Sequence, residues 1–359
     1  MSIHDLWTYD HAPQGTTDLS TGSGSPVYSE TGLYNQYTGN PGYAYNNGIT
    51  NAIQATTDGY LTINSNSTSN PGLAVQAKEV QDWSVATQYW VGFRTKTSKQ
   101  NASNANVFTM SDTIGQANPS ILVLESDMTA AGANVLNQDY YVEVFIDRTN
   151  RVYQVWINGV QVKSGTIAAA SVVSGGNGFY WFGPWNSGLI ASASRAFRDF
   201  YFLDVDATTL GRLGSIRSNL AALSAVSAPN YTLNAGSSGA SDALSAFNYA
   251  YPTPPVATPN ETNAVTDDVL TSTFNTSVPS TTSIVAVEYR HASQSTSAAN
   301  LGVALTSGGT TQNKPAYAFA DTNTMKYGRR AVLATTAVDG SAWTPAKVNA
   351  TQLLLTPTN

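Results

Sequence analysis

Tyr140 to Gly165 reads YYVEVFIDRTNRVYQVWINGVQVKSG, and this stretch decides the fold class. Val142, Val144 and Ile146 alternate with Tyr141, Glu143 and Phe145. A period of two is what a strand shows, because successive side chains point to opposite faces. Arg148-Thr149-Asn150-Arg151 then turns the chain, and Val152 to Ile157 returns. Asn158-Gly159 supplies the two left-handed residues of a type I′ hairpin, after which Val160-Gln161-Val162-Lys163 comes back. The stretch predicts a three-stranded antiparallel meander.

Tyr60 to Asn64, Tyr89 to Arg94 and Ser120 to Leu124 read as strands upstream of the meander. Gly178 to Phe182 and Phe197 to Val205 read as strands downstream, so residues 26–206 are expected to form one β-sandwich. Leu210, Leu213, Ile216, Leu220 and Leu223 recur at helical spacing, with Thr208 or Thr209 as N-cap, and predict a helix over 207–226. The helix opens a joining segment, 207–263, whose Gly236-Ser237-Ser238-Gly239 and Pro252-Thr253-Pro254-Pro255 mark a semi-rigid linker. Residues 264–359 form a smaller C-terminal β-domain, expected to be a second sandwich. Its strand candidates are Ser283 to Tyr289, Arg330 to Thr336 and Gln352 to Leu355. Residues 1–25 read as an arm: Trp7 and Tyr9 stand among polar residues, followed by the Gly/Ser run Ser20 to Ser25.

Of the 359 residues only 11% are charged, against roughly 25% in ordinary soluble domains, so Ser, Thr, Asn, Gln and Gly must build the surface. With a net charge of −6 and scattered cations, phosphate-backbone binding is excluded. Cysteine is absent, which removes disulfides, thiolate metal sites and Cys nucleophiles together. Histidine occurs only at 4, 11 and 291, with no metal-binding spacing. The first residues lack the basic and apolar regions of a signal peptide, and no apolar run is long enough to span a bilayer. A surface suited to the outside world without an export signal fits a virion protein, assembled in a host cytoplasm and released by lysis.

The meander, above all Val155-Trp156-Ile157-Asn158-Gly159, resembles the central hairpins of concanavalin A-like (laminin-G-like) jelly rolls. Phe179-Tyr180-Trp181-Phe182-Gly183 and Arg195 to Asp206 fit the aromatic and near-terminal strands that follow in that family. Many tailed-phage structural proteins look like this, with such a domain beside a smaller β-domain. The run Asp339-Gly340-Ser341-Ala342-Trp343-Thr344 is similar to their endings. The resemblance implies a virion protein: tail, collar, fibre or capsid-attached, and homo-oligomeric.

The same fold hosts glucanases that carry Glu-x-Asp-x(-x)-Glu on one strand. The matching place is Glu143 to Asp147, with Phe145 where the middle acid would stand. Four residues of strand separate the two acids by roughly 13 Å at ~3.3 Å per residue. Retaining and inverting pairs need about 5–5.5 and 6.5–9.5 Å, so Glu143 and Asp147 do not pair directly. They read instead as a solvent-side Glu and a turn-initiating Asp. There is no Gly-x-Ser-x-Gly elbow and no nucleotide-binding glycine motif. The chain is therefore read as no enzyme, without catalytic residues, cofactor or metal; Asp204, Asp206, Asp267 and Asp268 read as capping or solvated acids rather than calcium ligands.

Carbohydrate binding is the alternative function. Tyr34, Tyr37, Tyr43 and Tyr45 interleave with asparagines, and Trp181, Trp185 and Asn186 form a second cluster. Such residues stack on sugar faces or pack at subunit interfaces. The function classes rank as virion structural protein, then host-glycan receptor-binding module, then glycan-cleaving enzyme. The expected partners are other virion proteins and copies of the chain, with a host surface glycan under the second reading. Trp7 and Tyr9 are expected to dock the arm on another subunit.

Overall fold

The computed structural model describes residues 2–7, 43–45, 53–56, 58–66, 72–76, 87–111, 119–167, 179–183, 192–205, 212–219, 221–227, 232–233, 262–263, 270–289, 292–293, 300–318, 326–327 and 332–358. The chain divides into two units, Met1–Ser218 and Asn219–Asn359.

In chain order the first unit carries β1 (Ser2–Trp7), β2 (Tyr43–Tyr45), β3 (Ile53–Ala55), β4 (Leu61–Asn66), β5 (Gly72–Gln76), β6 (Gln88–Lys96), β7 (Asn106–Ser111) and β8 (Pro119–Leu124). A single helical turn and a half, α1 (Glu125–Ala130), precedes β9 (Tyr140–Asp147), β10 (Val152–Ile157), β11 (Val160–Thr166), β12 (Phe179–Phe182) and β13 (Ser192–Asp204). The larger antiparallel sheet runs β11-β10-β9-β6-β13-β4-β3, with β1 also on β13; the smaller runs β2-β5-β12-β7-β8. The chain is all-β, and the two-sheet sandwich expected from the meander is present.

The core follows from the alternation. Tyr89, Val91 and Phe93 of β6 and Val142, Val144 and Ile146 of β9 point inward from the larger sheet. Phe108, Met110, Tyr180 and Phe182 meet them from the smaller sheet. Phe182 stands edge-on to both Phe93 and Phe200, with ring centroids 5.2 and 4.9 Å apart. The type I′ turn forms as read: Asn158 and Gly159 have φ of 46° and 85°. Gly92 is required by packing, since a Cβ there would lie 2.0 Å from the Tyr201 ring on the neighbouring strand.

Burial pushes the phenols of Tyr89, Tyr141, Tyr180 and Tyr201 well above their ordinary pKa of 10.0. Each therefore contributes stability that is fully present below pH 10, where the unfolded chain also keeps its proton. The contribution is lost as pH rises from there toward the raised folded values. In an alkaline spectrophotometric titration these four should ionise in one step, together with the loss of near-UV circular dichroism. Gradual ionisation before any unfolding would show that water reaches them.

Two expectations are corrected in this unit. Ser2–Trp7 of the supposed arm form a strand of the chain's own sheet, with Ser2 opposite Asp204 and Trp7 opposite Phe200. The reason lies in β13, which is longer than its neighbour. β4 pairs only with Ser192 to Phe197, so the second half of β13 has an open ladder that β1 fills. Tyr9 lies outside the described residues, as does the side chain of Trp7.

The second correction is the helix predicted over 207–226. Among the described residues of that stretch, Arg212 to Asn219 carry no helix, and Ala222–Ser227 form a strand, β14, of the second unit. Gly214 sits mid-run with φ of 75°, a left-handed conformation that ends helical continuity. Backbone groups along this run bond to sheet side chains instead of to each other. In Ala222 to Ser227 the period two of a strand overlaps the leucine spacing that suggested a helix.

The second unit continues with β15 (Thr232–Leu233), β16 (Thr262–Asn263), β17 (Leu270–Asn275), β18 (Val287–Tyr289), β19 (Ala292–Ser293), β20 (Asn300–Ser307) and β21 (Thr310–Ala318). After β22 (Lys326–Tyr327) and β23 (Val332–Ala334), α2 (Pro345–Ala350) leads into β24 (Gln352–Thr358). Its main sheet runs β14-β17-β24-β20-β21. The β18–β23 ladder packs on it through Tyr289 and Ala334, against Val303, Leu305 and Leu353. The expected strand 283–289 is shorter than read: Val287–Tyr289 is strand, while Ile284 makes one bridge to Trp343. Trp343, from the Asp339 to Thr344 run, is core and donates its indole N–H to Ala334 O at 2.8 Å.

Candidate functional site

The outer face of the larger sheet carries much of the first unit's buried charge, including Arg94, Glu143, Arg198 and Asp199. Residues that alternate with the core positions, such as Arg94 on β6 and Tyr141 and Glu143 on β9, point to this face. A segment of extended chain, Arg212–Ser218, lies across it as a strap. Glu143 accepts the Tyr201 hydroxyl at 2.7 Å and the Gly214 N–H at 2.9 Å on Oε1, and pairs through Oε2 with Arg212 at 3.0 Å. The Arg212 guanidinium also stands 4.5 Å from the Trp156 ring centroid. Further along the strap, Arg94 donates to Ser215 Oγ and Ile216 O at 3.0 and 2.7 Å.

Asp199 anchors the strap's end. Between Arg198 and Tyr201, two residues of β13 oppose the single Phe93 of β6, a β-bulge. The bulge gives Asp199 a φ of 52°, an uncommon conformation that Asp tolerates better than most. Phe200 drops into the core, and the wholly buried Asp199 carboxylate is left on the outer face. It accepts from Arg94 Nε at 2.9 Å, Arg198 Nε at 3.1 Å and the Ser218 N–H at 2.9 Å.

Beside the strap lies an open polar cleft of about 550 Å³, within the range of small-ligand sites. Asp58 and Tyr60, from the β3–β4 connection, form one wall with Lys96 at the end of β6. Asn137, Gln138 and Asp139, the loop before β9, form the other, and Arg198 and Arg217 close it. Tyr60 is buried, donates its hydroxyl to Asp139, and lies under Lys96, whose Nζ is 4.0 Å from the ring centroid. Burial, and then the bond to Asp139, raise the Tyr60 pKa far above its ordinary value, so the phenol is a donor and not a base. Burial alone would raise Asp58. Hydrogen bonds from Lys96, at 2.5 Å, and Thr56 outweigh it and hold the carboxyl below its usual pKa. Arg217 is 67% exposed, and its contact with Asp139 is long at 3.4 Å.

The residues singled out from sequence fare differently. Glu143 is buried rather than solvent-side, because the strap covers it. Asp147 caps its turn as read: it accepts the Asn150 N–H and side chain and the Gln88 amide, which hold its pKa low against the burial that would raise it. Trp181 is buried with its indole against Gly72, where a Cβ would come within 2.4 Å, so it offers no face to a ligand. Tyr43 and Tyr45 lie on β2, paired with β5, and their side chains lie outside the described residues. Tyr34, Tyr37, Trp185 and Asn186 also lie outside them. Sequence reading passed over Asp199, Arg94 and the cleft. The available signal was the charged triplet Arg195, Arg198 and Asp199 inside an otherwise aromatic strand. Among the described residues no three His, Cys, Asp or Glu side chains gather as a metal site. No helix among them is long and apolar enough to cross a membrane.

No protein-family profile matches the sequence, and no curated protein matches it. Similar solved structures include domain 4 of AbnA, a GH43 extracellular arabinanase from Geobacillus stearothermophilus, in complex with arabinotriose. It is 17% identical with a TM-score of 0.33, over 57% of this chain and 94% of that one. The alginate lyase AlyC3 is 10% identical with a TM-score of 0.34, over 55% and 88%. A sialidase is 9% identical with a TM-score of 0.29, over 45% of this chain and only 18% of its own length. Likenesses this distant carry no activity across.

Proposed function

We propose that this chain is a non-catalytic structural protein of a tailed-phage virion, acting through contacts with other virion proteins and with copies of itself. The observation that carries the non-catalytic reading is the state of Glu143. It occupies the place of the first acid in glucanases of the fold it resembles, yet both its oxygens are bonded and Arg212 to Gly214 cover it. A general acid or nucleophile must reach its substrate. The weakly charged surface and the resemblance of the meander support the virion setting. Host-glycan recognition is the second reading, favoured by the open cleft of donors and acceptors beside the strap.

Incubation with a panel of polysaccharides should release no new reducing ends and no unsaturated products. Sustained turnover that is abolished by Glu143→Gln would overturn the reading. The tagged chain should also co-sediment with particles from lysates of its own host, and its recovery only as free protein would remove the virion assignment.

A further inference from the structure

We infer that the cleft beside the strap binds an acidic saccharide, with Arg217 as the residue that receives its carboxylate or sulfate. This deepens the glycan-recognition reading and rests on it. The charge count comes first. Lys96, Arg198 and Arg217 face Asp58 and Asp139, so the lining holds one more cation than anion. The cations are not equally committed. Arg198 is held in the sheet by Asp199 and by the backbone of Asp58 and Ser218. Lys96 sits on the Tyr60 ring and on Asp58. Arg217 alone of these three is mostly exposed, on a strap whose backbone is fixed on either side of it. An anchored backbone with a mostly exposed guanidinium, in a long contact with Asp139, costs little further ordering to engage a ligand anion, and a planar fork suits a carboxylate or sulfate.

The rest of the lining fits the remainder of a sugar. Hydroxyls both donate and accept, and the walls alternate acceptors (Asp58, Asp139) with donors and the amides of Asn137 and Gln138. The loop that presents those amides is held rigid. Asn137 has φ of 59° and donates its N–H to Thr97 O at 2.7 Å, and Val135 donates its own to the Tyr140 hydroxyl at 3.0 Å. Directly before Asn137, Val135 and Leu136 are 55% and 47% exposed, two of the few large apolar side chains outside the core among the described residues. Exposed apolar side chains that precede the cleft wall in sequence suit the C–H face of a pyranose, as the polar lining suits its hydroxyls.

The test is calorimetric titration of the full chain with galacturonate trimer, a sulfated galactose trimer and neutral galactotriose. The acidic trimers should bind, galactotriose should bind roughly tenfold or more weakly, and Arg217→Ala should remove that difference while leaving the unfolding temperature unchanged. Arg217→Lys should retain the charge preference but weaken it. The galacturonate and sulfate arms show which anion is preferred. Binding of neither acidic trimer, equal affinity for all three, or an Arg217→Ala variant that binds like the parent would each overturn the inference while leaving the non-catalytic reading intact. Cleavage of a trimer in the cell would instead overturn the non-catalytic reading.

Discussion

Asp199→Ala should lower the unfolding temperature of the first unit more than any change on its surface. The substitution leaves the guanidinium groups of Arg94 and Arg198 without their shared carboxylate and the Ser218 N–H without its acceptor. Breaking a buried pair from one side costs about 3–5 kcal/mol, which for a unit of this size is roughly 6–20 °C in Tm. The left-handed backbone at this position adds to the cost, because alanine tolerates it less well than aspartate. Asp199→Asn keeps an acceptor and the backbone preference, and should fall between. Hydrogen exchange provides a second reading: the amides of Gly214 and Ser218 should lose protection before those of β6 and β9. A Tm within a degree or two of the parent would mean that water already reaches this carboxylate.

Arg195→Met is expected to be comparably damaging at a different place. Arg195 points into the sandwich between the sheets and is 1% exposed. It grips Glu125 with two bonds, Nε to Oε1 at 2.8 Å and Nη2 to Oε2 at 2.5 Å, and donates to Thr95 Oγ1 at 3.2 Å. Glu125 follows directly on β8 and also accepts from Asn101 at 2.7 Å, so the pair ties the two sheets together at that point. Methionine fills much of the volume but strands a buried carboxylate, a loss of about 3–5 kcal/mol. Adding Glu125→Gln removes the stranded charge while still accepting from Asn101, and thermal or urea unfolding of the double variant should recover part of the loss. If the double variant is no more stable than Arg195→Met alone, packing rather than uncompensated charge sets the cost.

These two sites mark where the sequence ceased to be readable. The meander was legible because strand alternation and an Asn-Gly turn are local, and neither depends on what lies across the sheet. The β20–β21 hairpin carries the same kind of local signal, although no strand is read there: Leu301, Val303 and Leu305 alternate, and Gly308-Gly309 follow with φ of 57° and 81°. It escapes a reading anchored on long apolar or aromatic runs, since its second strand opens on Thr310-Thr311-Gln312-Asn313. Asp199 was not legible, because its partners depend on a bulge that changes which residue of β13 faces out. The cleft draws on five separated stretches, around residues 58, 96, 138, 198 and 217, and no local clustering announces it. Clusters of Tyr and Asn do announce themselves, but sequence neighbours in a strand point to opposite faces, and Trp181 is buried against Gly72 on the face opposite to Tyr180 and Phe182.

The pairing of β1 with the far half of β13 sets an order of events during synthesis. Ser2 cannot meet Asp204 until some two hundred residues have left the ribosome, about 10–40 s at cellular elongation rates. β1 is thus made long before β13 can receive it, and the large sheet stays unfinished while β9 to β11 close locally. Contacts so distant along the chain slow folding and leave a bare strand edge open to other nascent copies. Recombinant yield should therefore depend on growth temperature and expression rate more steeply than on the stability of the finished protein.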